Sequence, residues 1–161
     1  MRSDGRALPD ITQALVLHHL GLIRSDELPD LAARWLAAGM TDTESTRMLA
    51  GHPRHDPSGL NQLLGAAADE AGTTAPADPA AIQDIAQTWV ASRWLDDHNT
   101  RAAVRTLAHL GQTNLSLNLG HFIGLDDEWS GNWGRLPSAI KAEANQILAS
   151  ILHGPDDRSQ P

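Results

Sequence analysis

The chain has 161 residues, no cysteine, no tyrosine, and a formal net charge of −8 from 20 acidic and 12 basic side chains. Without cysteine there is no disulfide, thiolate ligand or cysteine nucleophile, and the acidic balance disfavours broad contact with nucleic acid, where phosphate neutralisation supplies most of the affinity. Alanine and leucine are abundant while β-branched and aromatic residues are sparse, which favours helix throughout, and a chain of this length buries enough surface to need no metal or disulfide support.

Residues 1–8 read as a frayed end. The opening MRSDGRALPD has no apolar run behind its arginines, so no signal peptide is expected. No apolar segment approaches about 18 residues, so no membrane span is expected, and a cytoplasmic location follows as the expectation. Pro9 and Asp10 open a first helix to about Ile23, with Ile11, Leu15 and Leu22 on one side. Leu28 to Gly51 is the best-marked stretch. Leu28, Leu31 and Trp35 form a helical stripe, Pro29 fits a first turn, and Gly39 suits a left-handed stop. Thr41-Asp42-Thr43-Glu44 has the form of a capping box, opening a short helix with Met48 and Leu49 on its apolar side and Gly51 at its end.

HPRHDPSG, residues 52–59, reads as a loop. Asp56 before Pro57 is an N-cap followed by proline at the first helical position, which starts a helix through Leu60, Leu63, Leu64 and Ala67 to Gly72. The segment TTAPADP, residues 73–79, is linker-like, and Asp78-Pro79 repeats the cap-plus-proline start. A helix through Ile82, Ile85, Trp89 and Trp94 then runs to about Asp97. Thr100 is read as the cap of the next helix, which Gly111 ends. Leu115, Leu119, Phe122 and Ile123 predict a further short helix ended by Gly124. LDDEWSGNWGRL, residues 125–136, is read as the second long loop. The last helix carries Ile140, Ala144, Ile147, Leu148 and Ile151, and Gly154-Pro155 stops it before a solvated tail.

The expected fold is therefore all-α, about eight helices in two similar four-helix halves, 9–72 and 80–153, joined at 73–79, with 1–8 and 154–161 as flexible ends. The halves echo each other: Asp10-Ile11-Thr12-Gln13 with Val16 matches Asp84-Ile85-Ala86-Gln87 with Val90, and Gly51 matches Gly124. That pattern suggests an internal duplication, although alanine- and leucine-rich helices also resemble each other by composition alone.

Two stretches carry candidate chemistry. His52, His55 and Asp56 are dense enough in imidazole and carboxylate to hold a divalent metal, against the plainer reading of a solvated loop with a helix cap. The His-Asp pair resembles that of the HD phosphohydrolases, an all-α family that holds metal with His, His-Asp and a later Asp. His18 or His19, His55-Asp56, and Asp96 or Asp97 are the positions that would fill that pattern, though here the pair lies between Pro53 and Pro57 and not within a helix. His109 and His121 stand alone on apolar-rich helices and read as packed, hydrogen-bonded residues. His18 and His19 project about 100° apart on a helix, one toward the interior and one toward solvent. The second stretch is DDEWSGNWG. Asp126, Asp127, Glu128, Trp129 and Trp133 read as a partner-binding surface, since tryptophan anchors are enriched in interfaces; the competing reading closes both indoles over the helix ends. Trp35, Trp89 and Trp94 follow helical stripes and read as core, or as the lining of a small-molecule pocket between the halves.

The helix–Gly–short helix unit has the spacing of a helix-turn-helix, but DTESTRMLA carries one arginine and the chain is acidic. No phosphate-binding loop, dinucleotide fingerprint, nucleophile elbow or zinc-protease helix is present, and no catalytic residue is assigned. The pieces LPDLAARWLAAGMTDTESTRMLAGHPRHDP and GLDDEWSGNWGRLPSAIKAEANQILA resemble a loose group of uncharacterised all-helical proteins of high-GC bacteria. That resemblance implies an all-α fold and brings no reaction with it. Small acidic helical proteins of this kind include regulatory partners and toxin-neutralising immunity proteins, an analogy of fold and charge. The leading expectation is a non-enzymatic protein-binding module for a basic protein partner, with no cofactor, no nucleic acid and no membrane. The alternatives are a metal-dependent hydrolase on His52, His55 and Asp56 with Asp97 or His98, and small-molecule binding between the halves.

Overall fold

A computed structural model of the chain describes residues 8–131 and 133–154. The ends read as flexible lie outside the described residues apart from Leu8 and Gly154. The described residues are all-helical, with no strand among them. The helices are α1 (Ile11–His19), α2 (Leu28–Ala38), α3 (Glu44–Gly51), α4 (Pro57–Glu70), α5 (Pro79–Asp97), α6 (Thr100–Thr113), α7 (Gly120–Gly131) and α8 (Pro137–His153), with a single 3-10 turn at Ser25–Glu27. The chain divides into two compact units, one ending at Ala77 and the other beginning at Asp78.

In the first unit, Asp10 and Gln13 form a reciprocal capping box. The Gln13 N–H donates to Asp10 Oδ1 at 2.8 Å and the Asp10 N–H to Gln13 Oε1 at 3.0 Å. α1 stops at His19, well short of Ile23. Gly21 turns left-handed, and the N–H groups of Leu22 and Ile23 both fold back onto the Leu17 carbonyl, a closure that a continuing helix would forbid. α2 buries Leu28, Leu31, Ala32 and Trp35 and ends at Gly39 with φ 65°, as its periodicity predicts. The Trp35 indole N–H donates to the Pro9 carbonyl at 2.6 Å, anchoring the start of the unit.

The cap of α3 is Thr43, not Thr41: its hydroxyl accepts the Thr46 N–H at 3.1 Å. Glu44 thereby becomes the first helical residue and cannot close the expected box. A second orphan N–H, that of Ser45, is taken by Glu70 at the end of α4, which also accepts the Ser45 hydroxyl at 2.5 Å. These bonds hold the Glu70 carboxyl below its ordinary pKa. Leu49 is fully buried, whereas Met48, read as apolar lining, is 55% exposed. Asp56 caps α4 through the Gly59 N–H, with Pro57 in the first turn as expected.

In the second unit, Asp78 caps α5, which ends at His98 in the left-handed conformation. Asn99, not Thr100, caps α6. Thr100 is buried and its hydroxyl is used elsewhere: it accepts the Trp94 indole N–H at 3.1 Å and donates to Asn145 Oδ1 at 2.6 Å, tying α5, α6 and α8 together. α6 runs through Gly111 to Thr113. Gly111 permits close approach, since a Cβ there would lie 2.8 Å from Leu119 Cβ.

The largest departure from expectation is α7. Gly120 is its first residue, Gly124 lies inside it, and residues 125–131, expected in a loop, are helical. Phe122 and Leu125 are buried at i, i+3, with Leu119 just before them, while Gly120 and Gly124 lie on the exposed side. Packing of that stripe offsets the helix-weakening effect of each glycine, about 1 kcal/mol relative to alanine. α8 buries Ile140, Ala144 and Leu148 as its pattern predicts. Trp35 is fully buried and exposes no surface to a ligand, while Trp89 and Trp94 are only half-buried.

Candidate functional site

Because α7 extends to Gly131, four of the five residues expected on an acidic loop are helical, and the helix sends them in different directions. Asp127 is exposed. Asp126 is half-buried, its Oδ1 enclosed without a hydrogen-bond partner. Trp129 is half-buried beneath the Arg101 guanidinium, whose carbon stands 5.2 Å from the ring centroid. Arg101 Nη2 also donates to the Ser130 hydroxyl at 3.3 Å, so α6 holds the last turn of α7.

Glu128 is 14% exposed in its side chain and fully engaged by Arg135. Its carboxylate accepts the Arg135 backbone N–H at 2.7 Å, Nε at 3.0 Å and Nη2 at 2.8 Å. Arg135 Nη1 reaches on to Glu143 of α8. The guanidinium and backbone donors hold the Glu128 carboxyl at about 2, and the two carboxylates push Arg135 further above its ordinary range. Gly134, at φ +84°, turns the chain so that this grip can form; a Cβ there would lie 2.8 Å from Glu128 Oε1.

The braced connection between α7 and α8 turns its apolar side chains outward. Trp133 is 64% exposed and Leu136 is 74% exposed. The Trp133 ring rests against Gly131, where any Cβ would collide with it. The structure thus separates the five expected contact residues. Trp133 and Asp127 face solvent, Glu128 and Trp129 brace the connection, and Asp126 is partly enclosed. The reading of Trp133 as a lid on the core does not hold. Three contributors escaped the sequence reading: Arg135, Leu136 and Arg101. Arg135 left a signal, as the single lysine or arginine between Gly120 and Ser138.

The histidine loop is arranged differently. His52 Nε2 stands 2.8 Å from Asp56 Oδ2, while Asp56 Oδ1 accepts the Gly59 N–H at 3.0 Å. Gly59 and His52 together lower the Asp56 pKa. Gly59 lies so close to Asp56 and His52 that a side chain there would clash with both. His55 is exposed, and Arg54 reaches back to Asp30 of α2 with bonds of 3.0 and 2.5 Å. His52 and Asp56 therefore close the turn between α3 and α4. Among the described residues, no group of three or more His, Asp and Glu is placed to hold a metal ion. Asp96 and Asp97 belong to the second unit, where the Asn99 N–H donates to Asp97 Oδ1 at 2.8 Å.

Of the other histidines, His18 is half-buried and linked to the Ile23 carbonyl at 3.0 Å and Asn61 at 2.7 Å, and His19 is exposed. His109 and His121, expected to be packed, are both exposed. His121 Nε2 stands 3.1 Å from Glu143 Oε1. No helix is long and apolar enough to cross a membrane among the described residues. No family model, no curated protein and no solved structure matches the chain.

Proposed function

We propose that the chain is a non-enzymatic protein-binding module of the regulatory or toxin-neutralising kind, with Trp133 as its anchor and the exposed Leu136 and Asp127 as further contacts. One observation carries this reading: a tryptophan 64% exposed on a connection fastened at both sides by Arg135. A large aromatic side chain in open solvent is a hot-spot residue awaiting a pocket. Its short, braced support loses little further freedom on binding, so less of the contact energy goes into ordering. The net charge of −8 favours a basic protein as the occupant. Glu128 is not offered to that partner, because Arg135 occupies its carboxylate.

The test is retention of a basic protein from the source lysate on the immobilised chain, compared with a Trp133→Ala variant. The binder retained by the wild type should lose affinity about tenfold or more on Trp133→Ala, the range of a hot-spot truncation, with the melting temperature unchanged. Trp129→Ala should behave the opposite way, lowering the melting temperature first. A retained partner whose affinity is indifferent to Trp133→Ala would remove this surface from consideration.

A further inference from the structure

Glu143 also belongs to a cleft of about 540 Å³ within the 78–154 unit, a size that accommodates a small organic molecule. The cleft lies where α5, the start of α7 and α8 converge. Its apolar surface comes from Phe122, which is buried, and Ile147, which is half-buried. Around these stand three carboxamides: Gln87 of α5, Asn118 just before α7, and Gln146 of α8. None of these three side-chain amides is engaged by another described residue. Ser150, one helical turn beyond Gln146, donates its hydroxyl to the Ile147 carbonyl at 2.7 Å and keeps its lone pairs for an acceptor role.

The acidic group of the cleft already has protein partners. Glu143 is its acidic residue, and it is already shared between His121 and Arg135. No lysine or arginine lines the cleft among the described residues. A phosphate or carboxylate entering it would lose its hydration without a cation to replace it. A carboxamide presents one carbonyl acceptor and one amino donor side by side. That pair matches the edge of a planar ring carrying an adjacent donor and acceptor, as asparagine and glutamine match base edges in nucleic-acid recognition. The apolar floor of half-buried Ile147, with Phe122 beneath, suits the face of such a ring.

We infer that this cleft binds a neutral planar heterocycle with an amide-like edge, the nucleobase class, its face on Phe122 and Ile147 and its edge read by Gln87, Asn118 and Gln146. The same chemistry occurs in a free nucleoside and in an unpaired base of a nucleic-acid strand. The described lining holds no lysine or arginine, and its one histidine, His121, faces Glu143 at 3.1 Å, which selects the free nucleoside. This inference is independent of the protein-binding surface at Trp133.

The experiment titrates adenosine, guanosine, cytidine and uridine separately into the isotope-labelled full chain and follows its amide resonances. At least one nucleoside should give saturable shifts in the side-chain amides of Gln87, Asn118 and Gln146, with submillimolar affinity. Gln146→Leu, an exposed position, and Gln87→Leu should each weaken it about tenfold, the scale of one lost hydrogen bond. The matching nucleoside monophosphate and a short single-stranded oligonucleotide should bind no more tightly. The inference is overturned if no nucleoside saturates at millimolar concentration, or if the shifts map away from the cleft. It is equally overturned if neither variant changes the affinity, or if the phosphorylated forms bind more tightly. Should a variant fail to fold, the wild-type shift map and the monophosphate comparison decide the matter alone.

Discussion

Arg135 joins three segments at once: its own backbone N–H and guanidinium hold Glu128 on α7, and its remaining nitrogen reaches Glu143 on α8. The consequence is testable through pH. Glu128 has a folded pKa of about 2 against an ordinary 4.5. A carboxyl depressed on folding contributes stability that is present above its unfolded pKa and lost as pH falls through the folded value. The contribution of Glu128 should therefore fade between about pH 4.5 and pH 2 and be constant near neutrality. Arg135→Ala should lower the melting temperature at pH 7 and make its decline in that acid window shallower. Carboxyl titration by NMR should place Glu128 in the variant back near the ordinary range. A variant with an unchanged melting curve at both pH values would show that the grip does not brace the α7–α8 connection.

At the scale of elements, the pairing of α6 with α7 depends on one glycine and not on another. Gly111 lies at the contact, where a Cβ would sit 2.8 Å from Leu119 Cβ and 3.2 Å from Ile123 Cδ1. Gly124 lies in the interior of α7 with open space around it. Gly111→Ala should force the two helices apart and destabilise by about 1–3 kcal/mol, the usual cost of overpacking. Gly124→Ala should stabilise by about 0.5–1 kcal/mol, because alanine loses less backbone entropy in a helix. Urea unfolding of the two variants checks both signs at once, and equal effects would contradict the assigned path of α7. The same pairing explains why α7 continues past Gly124. A local view of LDDEWSGNWG shows aspartates and glycines, which are poor helix formers. Burial of Phe122 and Leu125, together with Arg101 over Trp129, supplies through tertiary packing what the segment's own propensity lacks.

For the whole molecule, charge separates two contributions to partner binding. The excess of eight negative charges acts over distance, steering a basic protein toward the chain. Trp133 acts only at contact. Raising salt from 0.1 M to 1 M shortens the screening length from about 10 Å to about 3 Å. Association should therefore slow severalfold while dissociation changes little, and Trp133→Ala should do the reverse, raising the dissociation rate. Stopped-flow or surface-binding kinetics on the two proteins would check the division. A salt-independent association rate would mean that the acidic balance serves solubility alone.

What the sequence determined by itself is whatever depends on a few neighbouring residues. The all-α class follows from composition and period. The starts of α1, α4 and α5 follow from Asp10, Asp56 and Asp78, and the stop at Gly39 from its freedom to turn left-handed, because caps and stripes are local chemistry. Where two capping residues lay close together, as with Thr41 and Thr43 or Asn99 and Thr100, only tertiary structure chose between them. Thr100 was lost to capping because its buried hydroxyl serves Trp94 and Asn145. The candidate surface was legible as a stretch, DDEWSGNWG, but not in its roles. Which indole is braced and which is offered depends on Arg101, 28 residues before Trp129 in the chain. Which acid is neutralised depends on Arg135, across a turn whose geometry Gly134 sets. The cleft had no signature at all, since Gln87, Asn118 and Gln146 are unremarkable until the folded chain brings them to one place. Ion pairs, stacked cations and shared cavities join residues that are distant in sequence, and no local pattern encodes their meeting.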